Sequence, residues 1–116
     1  MKPLTTADLA AMLRVAPSSV RKMKLRGLIP SVTVGGRMYF RPSQLIAAFE
    51  TFYMGPPREK PSCFPGDWMK PVDVAEYLGR SVETVYRWLH RGDLPYYRLG
   101  PHTIRFRRSE LVDQLG

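Results

Sequence analysis

Ser81-Val82-Glu83-Thr84-Val85-Tyr86-Arg87-Trp88-Leu89-His90-Arg91-Gly92-Asp93-Leu94-Pro95 is the stretch that decides the fold. Ser81 is a residue type that caps helix N-termini, and Val85, Trp88 and Leu89 recur at helical spacing. Gly92 stops the run, and the Arg91 before it suits a helix C-terminus. With Val85, Trp88 and Leu89 facing inward, Glu83, Thr84, Tyr86, Arg87 and Arg91 are left on the open side. Upstream, Pro71 opens another short helix carrying Val74, Tyr77 and Leu78, and Gly79 breaks it. Phe49, Tyr77 and Trp88 fall at helical spacing and are read as core.

The same pattern occurs earlier in the chain. A slide of about 65 positions sets Asp8 on Asp73, Ala10 on Ala75, Leu13 on Leu78, Val20 on Val85, Arg26-Gly27 on Arg91-Gly92, Pro30 on Pro95 and Gly35 on Gly100. One residue is then inserted in the second copy, after which Phe40-Arg41-Pro42-Ser43-Gln44-Leu45 meets Phe106-Arg107-Arg108-Ser109-Glu110-Leu111. In the first copy Thr5-Thr6-Ala7-Asp8 reads as a capping box, with Leu9, Met12 and Leu13 behind it and an end near Arg14. Pro17 starts the next helix, with Val20 and Met23 inward, and Gly27 terminates it.

Two short helices with a tight break form a helix-turn-helix. After each glycine stop come two β-prone runs. In the first copy they are Ser31 to Val34 and Met38 to Phe40, parted by Gly35-Gly36-Arg37; in the second, Tyr96 to Leu99 and Ile104 to Phe106, parted by Gly100 to Thr103. These hairpins are wings, and each runs into a third helix: Pro42-Ser43 leads to Leu45, Ile46 and Phe49, and Ser109 leads to Leu111, Val112 and Leu115. The expected fold is mainly α with small β-hairpin wings, as two tandem winged helix-turn-helix domains over 1–54 and 69–116. Residues 55–68, rich in proline and glycine, are read as a linker on which Phe64 and Trp68 dock locally; stretched at about 3.1 Å per residue it spans up to ~40 Å.

Charge narrows the partner. The 116 residues carry 18 Lys and Arg against 10 Asp and Glu, a net +8, which favours a polyanion without identifying it. Residues 1–54 hold eight basic and two acidic side chains, and residues 69–116 eight and six, so the first copy carries more of any salt-sensitive affinity. Cys63 is the lone cysteine, which excludes an intrachain disulfide or thiolate cluster and fits a reducing cytoplasm. No run of about 18 apolar residues occurs, so no membrane span is expected. His90 and His102 are isolated, no metal-ligand spacing or phosphate-binding glycine loop is present, and neither an enzymatic activity nor a cofactor nor a metal is expected.

The order of these motifs resembles the excisionase and MerR-like winged helix-turn-helix family. It is carried best by Val74-Ala75-Glu76-Tyr77-Leu78, Ser81 to Trp88, Arg91-Gly92-Asp93-Leu94-Pro95 and Arg107-Arg108-Ser109-Glu110-Leu111. That resemblance implies double-stranded DNA as partner, with the second helix of each copy in a major groove and the wing on backbone or minor groove. The chain departs from sensor-type MerR regulators in showing no long dimerisation helix after the second copy, so no small-molecule effector is expected.

On that footing the DNA-facing residues of the first copy are Ser18, Ser19, Arg21, Lys22 and Arg26 on the helix, with Arg37 at the wing tip and Arg41 behind it. Those of the second are Glu83, Thr84, Tyr86, Arg87 and Arg91, with His102 at the tip and Arg105, Arg107 and Arg108 as phosphate contacts. Arg21 and Lys22, and Tyr86 and Arg87, are the leading contacts, because arginine bonds guanine through two edge acceptors. Glu83 either accepts a hydrogen bond from cytosine or simply favours the positive end of its helix. The expected role is an excisionase-like recombination directionality factor of a mobile element, cytoplasmic and associated with a bacterial, phage or plasmid nucleoid, with an integrase as protein partner. Alternatives are a transcriptional regulator on direct-repeat operators, which would meet RNA polymerase, and a phage assembly adaptor whose helix-turn-helix units bind protein.

Overall fold

Thr5 sets the start of the first helix: its hydroxyl accepts from the Asp8 N–H at 3.0 Å, and the Asp8 carboxylate accepts from the Thr5 N–H at 3.0 Å. That reciprocal pair is the capping box expected from the sequence, and the bonds from Thr5 hold the Asp8 carboxyl below its ordinary pKa. A computed structural model describes residues 2–61 and 63–115, which divide into two compact units.

Unit 1 comprises residues 1–51 with 60–66. It runs β1 (Leu4–Thr5), α1 (Thr6–Leu13), α2 (Pro17–Leu25), β2 (Val32–Val34), β3 (Arg37–Phe40) and α3 (Pro42–Glu50). The sheet is antiparallel in the order β1-β3-β2, with Leu4 opposite Phe40 and Val34 opposite Arg37. Gly35 and Gly36, at φ +57° and +75°, form the two-residue turn between β2 and β3; both positions need the left-handed region, which glycine enters without penalty. Leu9, Leu13, Val20, Phe40 and Leu45 are completely buried, and Phe64 closes the core edge-on to Phe49 at 5.0 Å.

Unit 2 comprises residues 52–59 with 67–116. Its elements are β4 (Tyr53–Met54), β5 (Trp68–Met69), α4 (Pro71–Leu78), α5 (Val82–His90), β6 (Tyr96–Gly100), β7 (Thr103–Arg107) and α6 (Arg108–Leu115), with sheet order β4-β6-β7-β5. Ser81 caps α5 by accepting from the Thr84 N–H at 3.2 Å. Val74, Val85, Leu89, Phe106 and Leu111 form the centre of the core, and Trp88 packs half-buried against it.

Several expectations change. Among the described residues six helices accompany two antiparallel sheets, so the architecture is mixed α/β rather than mainly α. The short strands β1 and β5 extend the expected hairpins by pairing with β3 and β7. Tyr77, Val112 and Leu115, expected inward, are exposed; α6 buries Leu111 because that is the position β7 covers. The proline-rich stretch read as a linker over 55–68 is divided between the two units. Phe52 to Glu59 belong to unit 2, where Tyr53 pairs with Tyr97, whereas Lys60 to Gly66 belong to unit 1. Phe64 and Trp68 both dock, each in its own unit.

Candidate nucleic-acid interface

Burial of Val20 and Met23 turns the other side of α2 outward, and Ser18, Arg21, Lys22 and Arg26 are exposed there with Ser19 half-buried. Arg21 opens onto a cleft of about 490 Å³ that is also lined by Arg37 from the hairpin and by Thr6, Ala7, Pro17 and Met38. Two arginines, one from α2 and one from the start of β3, thus border one concave surface. Thr6, Pro17 and Met38 line the cleft without being among the contacts expected from the sequence. Their signal was weak, since Thr6 and Pro17 are legible only as helix-start residues.

In unit 2, Val85 and Leu89 are buried while Glu83, Tyr86 and Arg87 face out. Arg87 donates to the Thr84 hydroxyl at 3.0 Å, and that hydroxyl also lies 3.0 Å from the Ser81 hydroxyl, so a chain of three side chains runs along the start of the helix. The Tyr86 ring stacks with His90, centroids 6.4 Å apart. Arg91 pairs with Asp93 at 3.4 Å, and both side chains are largely in water. In each unit, then, two short helices meet at a tight break, and the second shows a polar face, mostly cationic on α2 and mixed on α5.

The sequence profile of a family described as a helix-turn-helix domain matches residues 3–52 and again residues 68–114. The chain belongs to the helix-turn-helix domain family. Two members of it lie in tandem, which bears out the repeat and the excisionase-type resemblance carried by the motifs. No curated protein and no solved structure matches the chain. A helix-turn-helix fold is a DNA-binding fold, and α2 and α5 are its second helices here. No helix among the described residues is long and apolar enough to cross a membrane.

The helix-turn-helix chain places the remaining expected contacts unevenly. His102 is exposed in the turn between β6 and β7. Arg105 is half-buried and donates to its own neighbour's carbonyl, that of Ile104, at 2.7 Å. Arg107 is turned inward: its side chain is only 12% exposed and stands 3.7 Å from Asp67, so it serves the fold of unit 2 and drops out of the contact set. Arg108 is exposed but lies over the Tyr77 ring, 5.4 Å from the centroid, which gives both residues a local partner. Arg41 is exposed at the start of α3 and lines a different groove from the one that Arg21 and Arg37 border.

Proposed function

We propose that the chain is a non-enzymatic, sequence-specific binder of double-stranded DNA acting as an excisionase-like directionality factor of a mobile element. The observation that carries the DNA reading is the cleft of unit 1, lined by both Arg21 of the second helix and Arg37 at the start of β3. In this reading α2 enters a major groove with Arg21, Lys22 and Arg26, and the hairpin acts as a wing that brings Arg37 to the adjoining phosphates or minor groove. In unit 2 the helix α5 presents Tyr86 and Arg87, fewer cations and more hydrogen-bonding groups, and contributes sequence choice. The excisionase role rests on the motif order shared with that family and on the pairing of one strongly basic unit with a second, more discriminating one.

The test has two stages. Selection of bound duplexes from a random pool yields the motif, and footprinting then locates it in the element. Protection beside an attachment site, with excision by the element's integrase made dependent on the protein, is the expected result. Protection confined to a promoter, with excision unaffected, would transfer the protein to transcriptional control.

A further inference from the structure

The two units are related by sequence but differ at one edge of their sheets. In unit 2 the outer edge of β6 is covered: Arg98 donates its N–H to the Phe52 carbonyl at 3.0 Å, and Tyr53 pairs with Tyr97. In unit 1 the matching strand β2 is the edge of its sheet, and among the described residues no strand covers it. Thr33 holds the place of Arg98, so its N–H is the donor that faces outward, because alternate residues of an antiparallel strand bond to opposite sides.

Beside that edge unit 1 has a groove of about 750 Å³, lined by Pro3, Val32, Val34, Tyr39, Arg41, Ser43, Ile46 and Cys63 among others. Unit 2 shows what such a groove lacks. Pro3 and Val32 stand where unit 2 has Trp68 and Tyr97, two rings packed edge-on at 5.0 Å. The volume of two aromatic side chains is therefore missing from unit 1.

A carboxylate is missing too. In unit 2 Asp67 accepts from the Ser109 N–H at the start of α6 at 2.8 Å and stands 3.7 Å from Arg107. The corresponding residues in unit 1 are Ser43, Arg41 and, in place of the acid, Lys2. The Arg41 carbonyl accepts from the Gln44 and Leu45 N–H groups of α3, while its side chain is exposed and lines the groove, with no side-chain ion pair found among the described residues.

We propose that this groove of unit 1 binds an extended segment of a partner protein, which adds as a strand to β2, inserts an aromatic side chain between Pro3, Val32 and Ile46, and sets a carboxylate on Arg41 and the Ser43 N–H. Strand addition supplies the backbone bonds, and the two side chains supply selectivity, the division of labour by which exposed sheet edges recognise peptides. Of their lining residues the groove and the Arg21 and Arg37 cleft share only Tyr39, so, on the proposed DNA reading of that cleft, the chain holds DNA and a protein on neighbouring surfaces.

The test pans the intact protein against a yeast-displayed library of random peptides and measures the enriched peptides by fluorescence polarisation. The expected consensus contains an aromatic residue and an aspartate or glutamate, and the bound peptide shields the exposed Cys63 thiol from alkylation. Thr33→Pro removes the outward N–H from an edge strand, where proline is tolerated, and Arg41→Gln removes the charge while leaving the surface polar. Each should weaken the peptide by about tenfold, the loss expected for one hydrogen bond involving a charge or one strand-addition bond. Arg21→Ala, in the other cleft, should leave peptide binding unchanged while it weakens duplex binding. Enriched peptides without an acid, or binding indifferent to Arg41→Gln, would overturn the proposal. So would concentration-dependent self-association abolished by Thr33→Pro, which would give the groove to a second copy of the chain.

Discussion

Arg87 donates to the hydroxyl of Thr84, one helical turn before it, at 3.0 Å. The bond holds a long cationic side chain along α5 before any ligand arrives, and so lowers the ordering cost of contact. Arg87→Ala should weaken the preferred duplex by about 1 to 3 kcal/mol and relax preference at one base pair. Thr84→Val should cost less and act in the same direction. Binding measured on a panel of single-base variants checks both; equal losses on every sequence would make Arg87 a phosphate contact.

Arg21 and Arg37 border one cleft in the more basic unit. If both neutralise phosphates, replacing either by alanine should reduce the slope of log affinity against log salt by about 1, and the double change by about 2. Titrations at several salt concentrations measure this. An unchanged slope with lower affinity at one sequence alone would make them base readers.

Arg58 ties the segment before the second copy into unit 2. Its Nε donates to Glu110 at 2.7 Å, a second nitrogen donates to the Tyr97 hydroxyl at 3.0 Å, and its guanidinium lies 3.6 Å from the Tyr53 ring centroid. Burial and the nearby Glu110 charge push the Tyr97 phenol up to about 12, so it stays neutral. The Arg58 and Glu110 side chains are 19% and 9% exposed, so Arg58→Ala strands a nearly buried carboxylate and should cost about 3 kcal/mol. The double variant Arg58→Met with Glu110→Leu should be milder. Chemical denaturation of the three proteins decides it.

Arg14 and Gly79 hold the same place in the two repeats, the left-handed residue that ends the first helix, at φ +59° and +65°. An L side chain pays about 1 kcal/mol or more for that conformation. Gly79→Ala should therefore destabilise unit 2 by about 1 kcal/mol, while Arg14→Gly should stabilise unit 1 by up to a similar amount. Thermal melting reads the opposite signs directly.

Asp67 links stability to pH. Partial burial opposes its ionisation, but the Ser109 N–H and the Arg107 charge outweigh that, and the carboxyl lies below its ordinary 3.8. A carboxyl with a lowered folded pKa stabilises the fold above its unfolded value and loses that contribution as pH falls through the folded one. Unit 2 should weaken as pH drops below about 4, and Asp67→Asn should flatten that part of the profile while lowering stability at neutral pH. Urea midpoints across the acid range provide the comparison.

Local signals in the chain proved readable where one or two neighbours determine the outcome. The Thr5 and Asp8 box, the Ser81 cap, the Gly35-Gly36 turn and the inward faces at Val20 and Val85 all follow from propensity and spacing. Strands of two residues such as Leu4–Thr5 and Trp68–Met69 carry no alternation to detect, since they exist only through pairing with β3 and β7. Tyr77 and Val112 satisfy helical spacing as well as their buried neighbours do, yet spacing is blind to which face another element covers. In the site, the exposed residues of α2 and α5 were legible because a short amphipathic helix leaves one side free. Arg107 was not, because its burial depends on Asp67, forty residues earlier in the chain by position.

By itself, the sequence determined that this chain is a tandem helix-turn-helix whose second helices each leave a polar face outward, since caps, stops and periodicity are local and were written twice. Only the tertiary structure decided that Phe52 to Glu59 serve unit 2, that Arg107 turns inward, and that β2 is an edge strand among the described residues, beside a groove. Those outcomes depend on which backbone edges and buried charges find partners across long stretches of chain, and no local pattern encodes a partner.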